Sequence, residues 1–379
     1  MSSAINSISD QSAIYYYKSF VNFINIQSKT YADRVFVRYY SNNTFKTLTY
    51  SEVDRITTNL ACEWAEKKSG FEVVSYINDH NVDYMITMFA LMKLRIIFLA
   101  ISPRNSEPAI INLLEKTQSK VIFTTPKYES IAQSAAAKID GAKLTVIQPL
   151  DIEAMLNQPL NPRYKEILDF NFTEKDIDQP ALIIHSSGST NFPKPIYLSN
   201  RYLLNLSGFY QLYKEQYHLD LVNKDDVMLS CVPLFHLFGF FGLTSAAFVG
   251  ASAIFLERLP PSQKEIDFAL RHNKCTIMAA PPIILEQMIS YLQEHNDFSA
   301  VQRLKFILFG GAPLKREVGE WFQAHNVNVR NGYGSTEMSI TMCADLDPKS
   351  KNWNSLRPVW NFSSEPYIPC YSTWCIKSS

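Results

Sequence analysis

From residue 34 onward, short apolar runs alternate with longer stretches in which apolar residues recur every three or four positions. Residues 34–40 read as a strand. Thr49, with Glu52 three positions later, has the form of a capping box. Val53, Ile56, Leu60 and Trp64 follow it at helical spacing. Residues 73–77 are strand-like again, and Asn81 opens an amphipathic stretch with Met85, Met88, Phe89 and Met92, read as core filling. Residues 96–100, 109–114 and 121–125 continue the alternation. From Pro149 to Pro180 four prolines break the pattern, so this segment reads as the connection between two lobes, with the charged run 173–178 as a solvated face. Beyond it, Asn200 is placed to cap a helix carrying Leu203, Leu204 and Leu206. Strands at 227–232, 253–256, 276–279 and 306–309 are separated by helical patterns at 262–272, 281–295 and 314–325.

Strands separated by helices imply βαβ units and parallel sheets. The expected fold class is α/β with two doubly wound, mostly parallel sheets. The expected divisions are a lobe over 1–180, a second over 181–343, and an incomplete continuation over 344–379. Ligands in such sheets bind beyond the carboxyl ends of strands, where three loops fall: 186–195, 231–239 and 310–313.

The first of these loops lies within ALIIHSSGSTNFPKPIYLSN, residues 181–200. Ser186, Ser187, Gly188, Ser189 and Thr190 offer hydroxyls and backbone N–H groups to an anion, and Lys194 adds a point charge. It is not a Walker loop, since Pro193 and Pro195 flank the lysine. Taken alone, the same composition also describes a polar surface hairpin. Gly310 and Gly311 end a strand and let backbone approach a flat ligand. In Asn331, Gly332, Tyr333, Gly334, Ser335, Thr336 and Glu337 the aromatic ring can stack a base, Thr336 can donate to a phosphate oxygen, and Glu337 can ligate Mg²⁺. His236 stands among Phe235, Phe238 and Phe240, where a buried, satisfied histidine is the ordinary expectation.

Composition narrows the function classes. Thirty-six basic residues balance 36 acidic ones, which argues against a nucleic-acid partner. Six scattered cysteines without a C-x-x-C pair give little support for zinc or redox chemistry and suit a cytoplasmic location. Residues 234–256 contain no Asp, Glu, Lys or Arg and are long enough to span a bilayer; a buried helix followed by a buried strand gives the same pattern. The second reading is preferred, so no membrane span is expected.

SSGSTNFPKP, PLFHLFG, FGGAPL and NGYGSTE occur in this order and together resemble the adenylate-forming superfamily of acyl-CoA synthetases, luciferases and peptide-synthetase adenylation domains. VDRITTNLACEW, ISPRNS and HSSGSTNFPKPI are most similar to fungal peptide-synthetase-like enzymes that join adenylation, carrier and reductase domains. The resemblance implies the following roles. Ser187, Gly188, Ser189, Thr190 and Lys194 would cradle the β- and γ-phosphates of ATP, and His236 would sit beside the substrate carboxylate and AMP. Gly310 and Gly311 would flank adenine on one side, with Asn331, Gly332 and Tyr333 on the other. Thr336 would bind the α-phosphate and Glu337 the Mg²⁺. The reaction implied is attack of a small carboxylic acid on the α-phosphorus of ATP. The segment VPLFHLFGF holds no carboxylate to pair with an ammonium, so an aryl or aliphatic acid is favoured over an amino acid.

Asn191 stands where the family has glycine, a mild departure. A larger one is that the family continues past NGYGSTE with a ribose-binding aspartate, a hinge and a small C-terminal lobe bearing a catalytic lysine. That lobe, and the carrier and reductase domains, are expected to be missing from these 379 residues, leaving a truncated core with impaired adenylation. The alternatives are a non-catalytic, nucleotide-binding remnant of the fold and, more remotely, a membrane-associated binding protein.

Overall fold

The computed structural model describes residues 16–65, 72–186, 192–347 and 349–359. Its strands, in chain order, are β1 (Val35–Ser41), β2 (Thr44–Thr49), β3 (Val73–Ile77), β4 (Ile97–Ile101), β5 (Val121–Thr124), β6 (Lys143–Val146), β7 (Pro180–Ser186), β8 (Lys194–Ser199), β9 (Val227–Ser230), β10 (Ser252–Phe255), β11 (Ile277–Ala280), β12 (Phe306–Gly310), β13 (Val329–Ser335), β14 (Ser339–Ala344) and β15 (Leu356–Pro358). They form two sheets, ordered β6-β5-β3-β4-β7-β8 and β15-β14-β13-β12-β11-β9-β10-β1-β2. The antiparallel pairs are β7–β8 in the first sheet and β1–β2, β13–β14 and β14–β15 in the second; the others are parallel. Two mostly parallel α/β sheets are thus present, as the alternation implies.

One compact unit holds the described residues up to Asp33 together with Tyr50–Leu204; the other holds Arg34–Thr49 and the described residues from Asn205. Leu182 and Ile183 of β7 pair with Phe98 and Leu99 of β4, so the 181–204 segment lies in the first unit, where the sequence pattern suggested the start of a second lobe. Short apolar runs cannot reveal which sheet receives them, because register and partner are tertiary properties.

In the first unit the helix Val82–Lys93 starts at Asn81, whose side chain accepts from Tyr84 N at 2.9 Å. It is buried on every side except at Asp83, not amphipathic, and its methionines fill the core as expected. Burial extends to Lys93, whose three ammonium protons meet Asp54 Oδ1 at 2.5 Å, Asn25 Oδ1 at 3.0 Å and Thr58 Oγ1 at 3.1 Å. Donors and acceptors balance there, which is the condition for holding a buried cation.

Three local expectations change. The 149–180 segment packs onto the first unit and is not a free connector: Asn59 donates to Pro159 O (2.9 Å) and accepts from Asn161 N (2.8 Å). The run 173–178 is a solvated face only in part: Thr173, Glu174, Lys175 and Asp178 are exposed, while Asp176 and Ile177 turn inward. Asp176 is 8% exposed, is paired with Arg95, and accepts from Thr173 N at 2.7 Å; Ile177 is buried beside it. Finally, Asn200 does not cap its helix. Ser199 Oγ accepts from Tyr202 N, while Asn200 ties Phe20 N to the carbonyls of Asp176 and Gln179.

In the second unit the apolar stretch 234–256 resolves into the 13-residue helix Leu237–Val249 and strand β10, joined at Gly250 with φ +77°. No helix among the described residues is long and apolar enough to cross a membrane. All five residues of β12 are buried, and each large apolar side chain in it contributes about 1.5–3 kcal/mol relative to exposure.

Candidate active site

In the second unit, the strands carrying the candidate residues are neighbours whose carboxyl ends point the same way. β12 and β13 are parallel, with Phe309 opposite Asn331 and Gly310 opposite Gly332. The glycine pairing has a steric cause: a Cβ on Gly310 would lie 2.6 Å from Gly332 O. Gly311 follows with φ +82°, a conformation side chains disfavour. The chain therefore leaves β12 as a ledge of bare backbone beside β13.

NGYGSTE is not a loop, as a sequence rich in Gly and Ser suggests, but the end of β13 and the turn into β14. Gly332 pairs with Cys343 and Ser335 with Ser339, leaving Thr336, Glu337 and Met338 at the hairpin tip. Tyr333 is 55% exposed on this ribbon. Asn331 is anchored from behind: its N–H donates to Trp353 O at 3.0 Å and its amide to Asn354 Oδ1 at 2.5 Å. Thr336 is half-buried and Glu337 exposed. Among the described residues no group of three potential metal ligands occurs. A single exposed carboxylate nonetheless suits Mg²⁺, which keeps its waters and takes much of its coordination from substrate phosphates.

His236 follows β9 and occupies the N-cap position of the helix Leu237–Val249. The expectation of a buried histidine is wrong: the ring is exposed, with Phe235 5.0 Å away between centroids. Its backbone carbonyl accepts from Gly239 N and Phe240 N, so the first helical turn fixes where the imidazole stands. Sequence reasoning passed over Gly239. A Cβ there would lie 2.2 Å from Pro233 O and 2.4 Å from Val232 O, because this turn is laid directly on the strand-end backbone. Gly239→Ala is expected to cost about 1–3 kcal/mol through overpacking and to displace His236. An unchanged urea midpoint would contradict this.

In the first unit, β7 and β8 form an antiparallel pair in which Ser186 faces Lys194. Lys194 is exposed at the first position of β8. Ser187, Gly188, Ser189 and Thr190 lie outside the described residues, as does Asn191.

The thiols of Cys62, Cys231, Cys275 and Cys343 are free and buried. Desolvation pushes Cys275 and Cys343 up to about 12, so these thiols stay protonated and inert. Asp226, a deeply buried carboxylate at the amino end of β9, is held by Lys305 at 2.8 Å and by Thr276. It is committed to structure, away from the strand end that carries His236.

The chain is 31% identical over 273 residues to an adenylate-forming reductase of Aspergillus terreus, covering 68% of this chain and 24% of that protein. It is 26% identical over 300 residues to a carboxylic acid reductase of Neurospora crassa, covering 76% and 27% respectively. The chain thus spans about a quarter of the length of these curated relatives. Its fold matches the luciferase-like enzyme from the nonluminescent Zophobas morio mealworm (TM-score 0.71, 21% identity, 86% of this chain and 74% of that one). It also matches ATP-bound MatB from Rhodopseudomonas palustris (TM-score 0.70, 16% identity, 86% and 62%). With the AMP-binding enzyme family matched across residues 24–362, the chain belongs to that family.

Proposed function

We propose that this chain is the core that activates a carboxylic acid with ATP, giving an acyl-adenylate and pyrophosphate. The observation that carries this reading is the bare ledge at Gly310 and Gly311 beside the exposed ring of Tyr333, with Thr336 and Glu337 at the tip of the same ribbon. Adenine slots against the ledge with Asn331, Gly332 and Tyr333 on its other side. Thr336 donates to the α-phosphate, Glu337 supplies one oxygen to Mg²⁺, and Lys194 with Ser187, Gly188, Ser189 and Thr190 meets the β- and γ-phosphates. Mg²⁺, when bound, neutralises phosphate charge. The protein's own part is positioning and electrostatic stabilisation, since the attack itself needs no covalent group from the enzyme.

The exposure of His236 at a helix start supports a role for it beside the carboxylate. The adjoining apolar positions Leu234, Phe235 and Leu237 are buried, and the stretch has no counter-ion for an ammonium. An aryl or aliphatic acid therefore suits it better than an amino acid. Free, protonated thiols support a cytoplasmic setting.

The test has two parts. Calorimetry with AMP should show binding that Thr336→Ala weakens by about 0.5–1.5 kcal/mol, or somewhat more because the acceptor is charged; unchanged affinity would remove Thr336 from the site. ATP–pyrophosphate exchange with a panel of acids then separates turnover from binding. Exchange by these 379 residues alone is expected to be weak and to rise when a homologous C-terminal lobe is added in trans. AMP binding with no exchange under either condition would instead favour the nucleotide-binding remnant.

A further inference from the structure

We infer that His185 is a positioning residue for the phosphate loop, held as its neutral Nδ1–H tautomer by the turn Ser102–Asn105. The inference rests on the reading of residues 186–194 as the ATP phosphate loop.

His185 is the penultimate residue of β7 and is 6% exposed. Its Nε2 lies 3.1 Å from the backbone N of Ser102 and 3.3 Å from Nδ2 of Asn105. A backbone N–H can only donate, so Nε2 must accept through its lone pair. The ring is therefore neutral with its proton on Nδ1, and Asn105 must turn its NH₂ toward it. An imidazolium would set donor against donor. The turn is itself closed, since Asn105 N donates to Ser102 O at 3.1 Å and Arg104 N to Ser102 Oγ at 3.3 Å. Both donors are thus held in place before they meet the ring. This accounts for ISPRNS, a motif to which no nucleotide contact falls.

The placement explains why a side chain is needed here. The described ladder between β4 and β7 pairs Phe98 with Leu182 and Leu99 with Ile183, and goes no further. On the other flank His185 faces Pro195, which has no N–H to give. His185 thus stands beyond the described β4–β7 pairs and one residue before the Ser186–Lys194 pair that brackets the phosphate loop. The bonds from Ser102 and Asn105 to the imidazole continue the clamp between β4 and β7 past the point where the ladder stops. They fix where Ser186 and Lys194 stand.

A residue that sets the loop for the outgoing phosphates should matter to ATP and not to AMP, which lacks them. His185→Ala is expected to weaken ATP binding about tenfold, the worth of one buried hydrogen bond of positioning, and to leave AMP affinity within about twofold. His185→Gln keeps an acceptor and should restore most of the ATP affinity. Equal loss of ATP and AMP in His185→Ala would overturn the inference and leave a merely structural histidine. If His185→Ala does not fold, Asn105→Ala with the same two titrations decides by the same ATP-only criterion. Nitrogen NMR of the wild-type imidazole provides a readout independent of nucleotide: an unprotonated Nε2 is expected, and a protonated one overturns the assignment. Wild-type protein that binds neither nucleotide would refute the phosphate-loop reading and this inference with it. Wild-type ATP binding indifferent to both His185 variants would refute the inference alone.

Discussion

Replacing Arg330 with methionine is expected to lower the unfolding free energy by about 2–4 kcal/mol and to weaken AMP binding as well. Arg330 is fully buried at the second position of β13. Its guanidinium donates to Val329 O at 2.8 Å, Asp347 O at 2.9 Å and Ser350 O at 3.0 Å, while Nε finds no partner. Desolvation holds its pKa below the ordinary arginine value, which marks the burial as costly. Removing the charge relieves part of that cost. It also strands three carbonyls, and charge-assisted hydrogen bonds contribute roughly 1.5–3 kcal/mol each, so the net sign is destabilising. The nucleotide effect follows from connectivity. The segment after Asp347 carries Trp353 and Asn354, which hold Asn331 by its backbone and side chain. Freed from Arg330, that segment no longer braces Asn331 on β13, where adenine is proposed to bind. Urea denaturation of Arg330→Met beside wild type, with an AMP titration of each, tests both claims; equal stability would show that the buried charge is a net burden.

Acidification should destabilise the first unit through His80. This histidine is 5% exposed, and burial pushes its imidazole down to about 3 from the ordinary 6.5. Because the folded value lies below the unfolded one, the unfolded chain takes up the proton first. Stability is therefore intact above pH 6.5 and is lost progressively as the pH falls toward 3. At about 1.4 kcal/mol per pH unit, the loss is roughly 2 kcal/mol by pH 5 and approaches about 5 kcal/mol at the lower limit. Other groups titrate in this range, so the comparison of wild type with His80→Gln isolates the contribution. The variant should lose less stability than wild type between pH 7.5 and pH 5. Parallel pH profiles would show that His80 is accessible to protons in the folded state.

The alternation of apolar runs and helical spacing determined the α/β class and most element positions. β12 is an example: four consecutive large apolar residues after a helical pattern admit only a buried strand in such a fold. The order of SSGSTNFPKP, PLFHLFG, FGGAPL and NGYGSTE likewise determined the family, because spacing of glycine and hydroxyl residues is written locally. The Asn81 cap was legible for the same reason: the interaction spans three residues.

What needed three dimensions were contacts between residues far apart in the chain. That β1 and β2 join the second sheet while β7 and β8 join the first follows from pairings such as Val37 with Ala253 and Phe98 with Leu182. Nothing in a short strand's own residues specifies its partner. The phenylalanines around His236 in sequence suit a buried histidine as well as a site residue, and only the turn of helix that begins there shows that the imidazole is exposed while Phe235 and Phe240 are buried. Asp176 read as solvated because charges neighbour it, yet Arg95, 81 residues away, makes its burial tolerable. His185 and Arg330 were invisible as positioning groups for the same physical reason. A single polar residue in an apolar run states only that burial is costly; the partners that offset the cost, Ser102 and Asn105 for one and Asp347 and Ser350 for the other, are supplied by the tertiary fold.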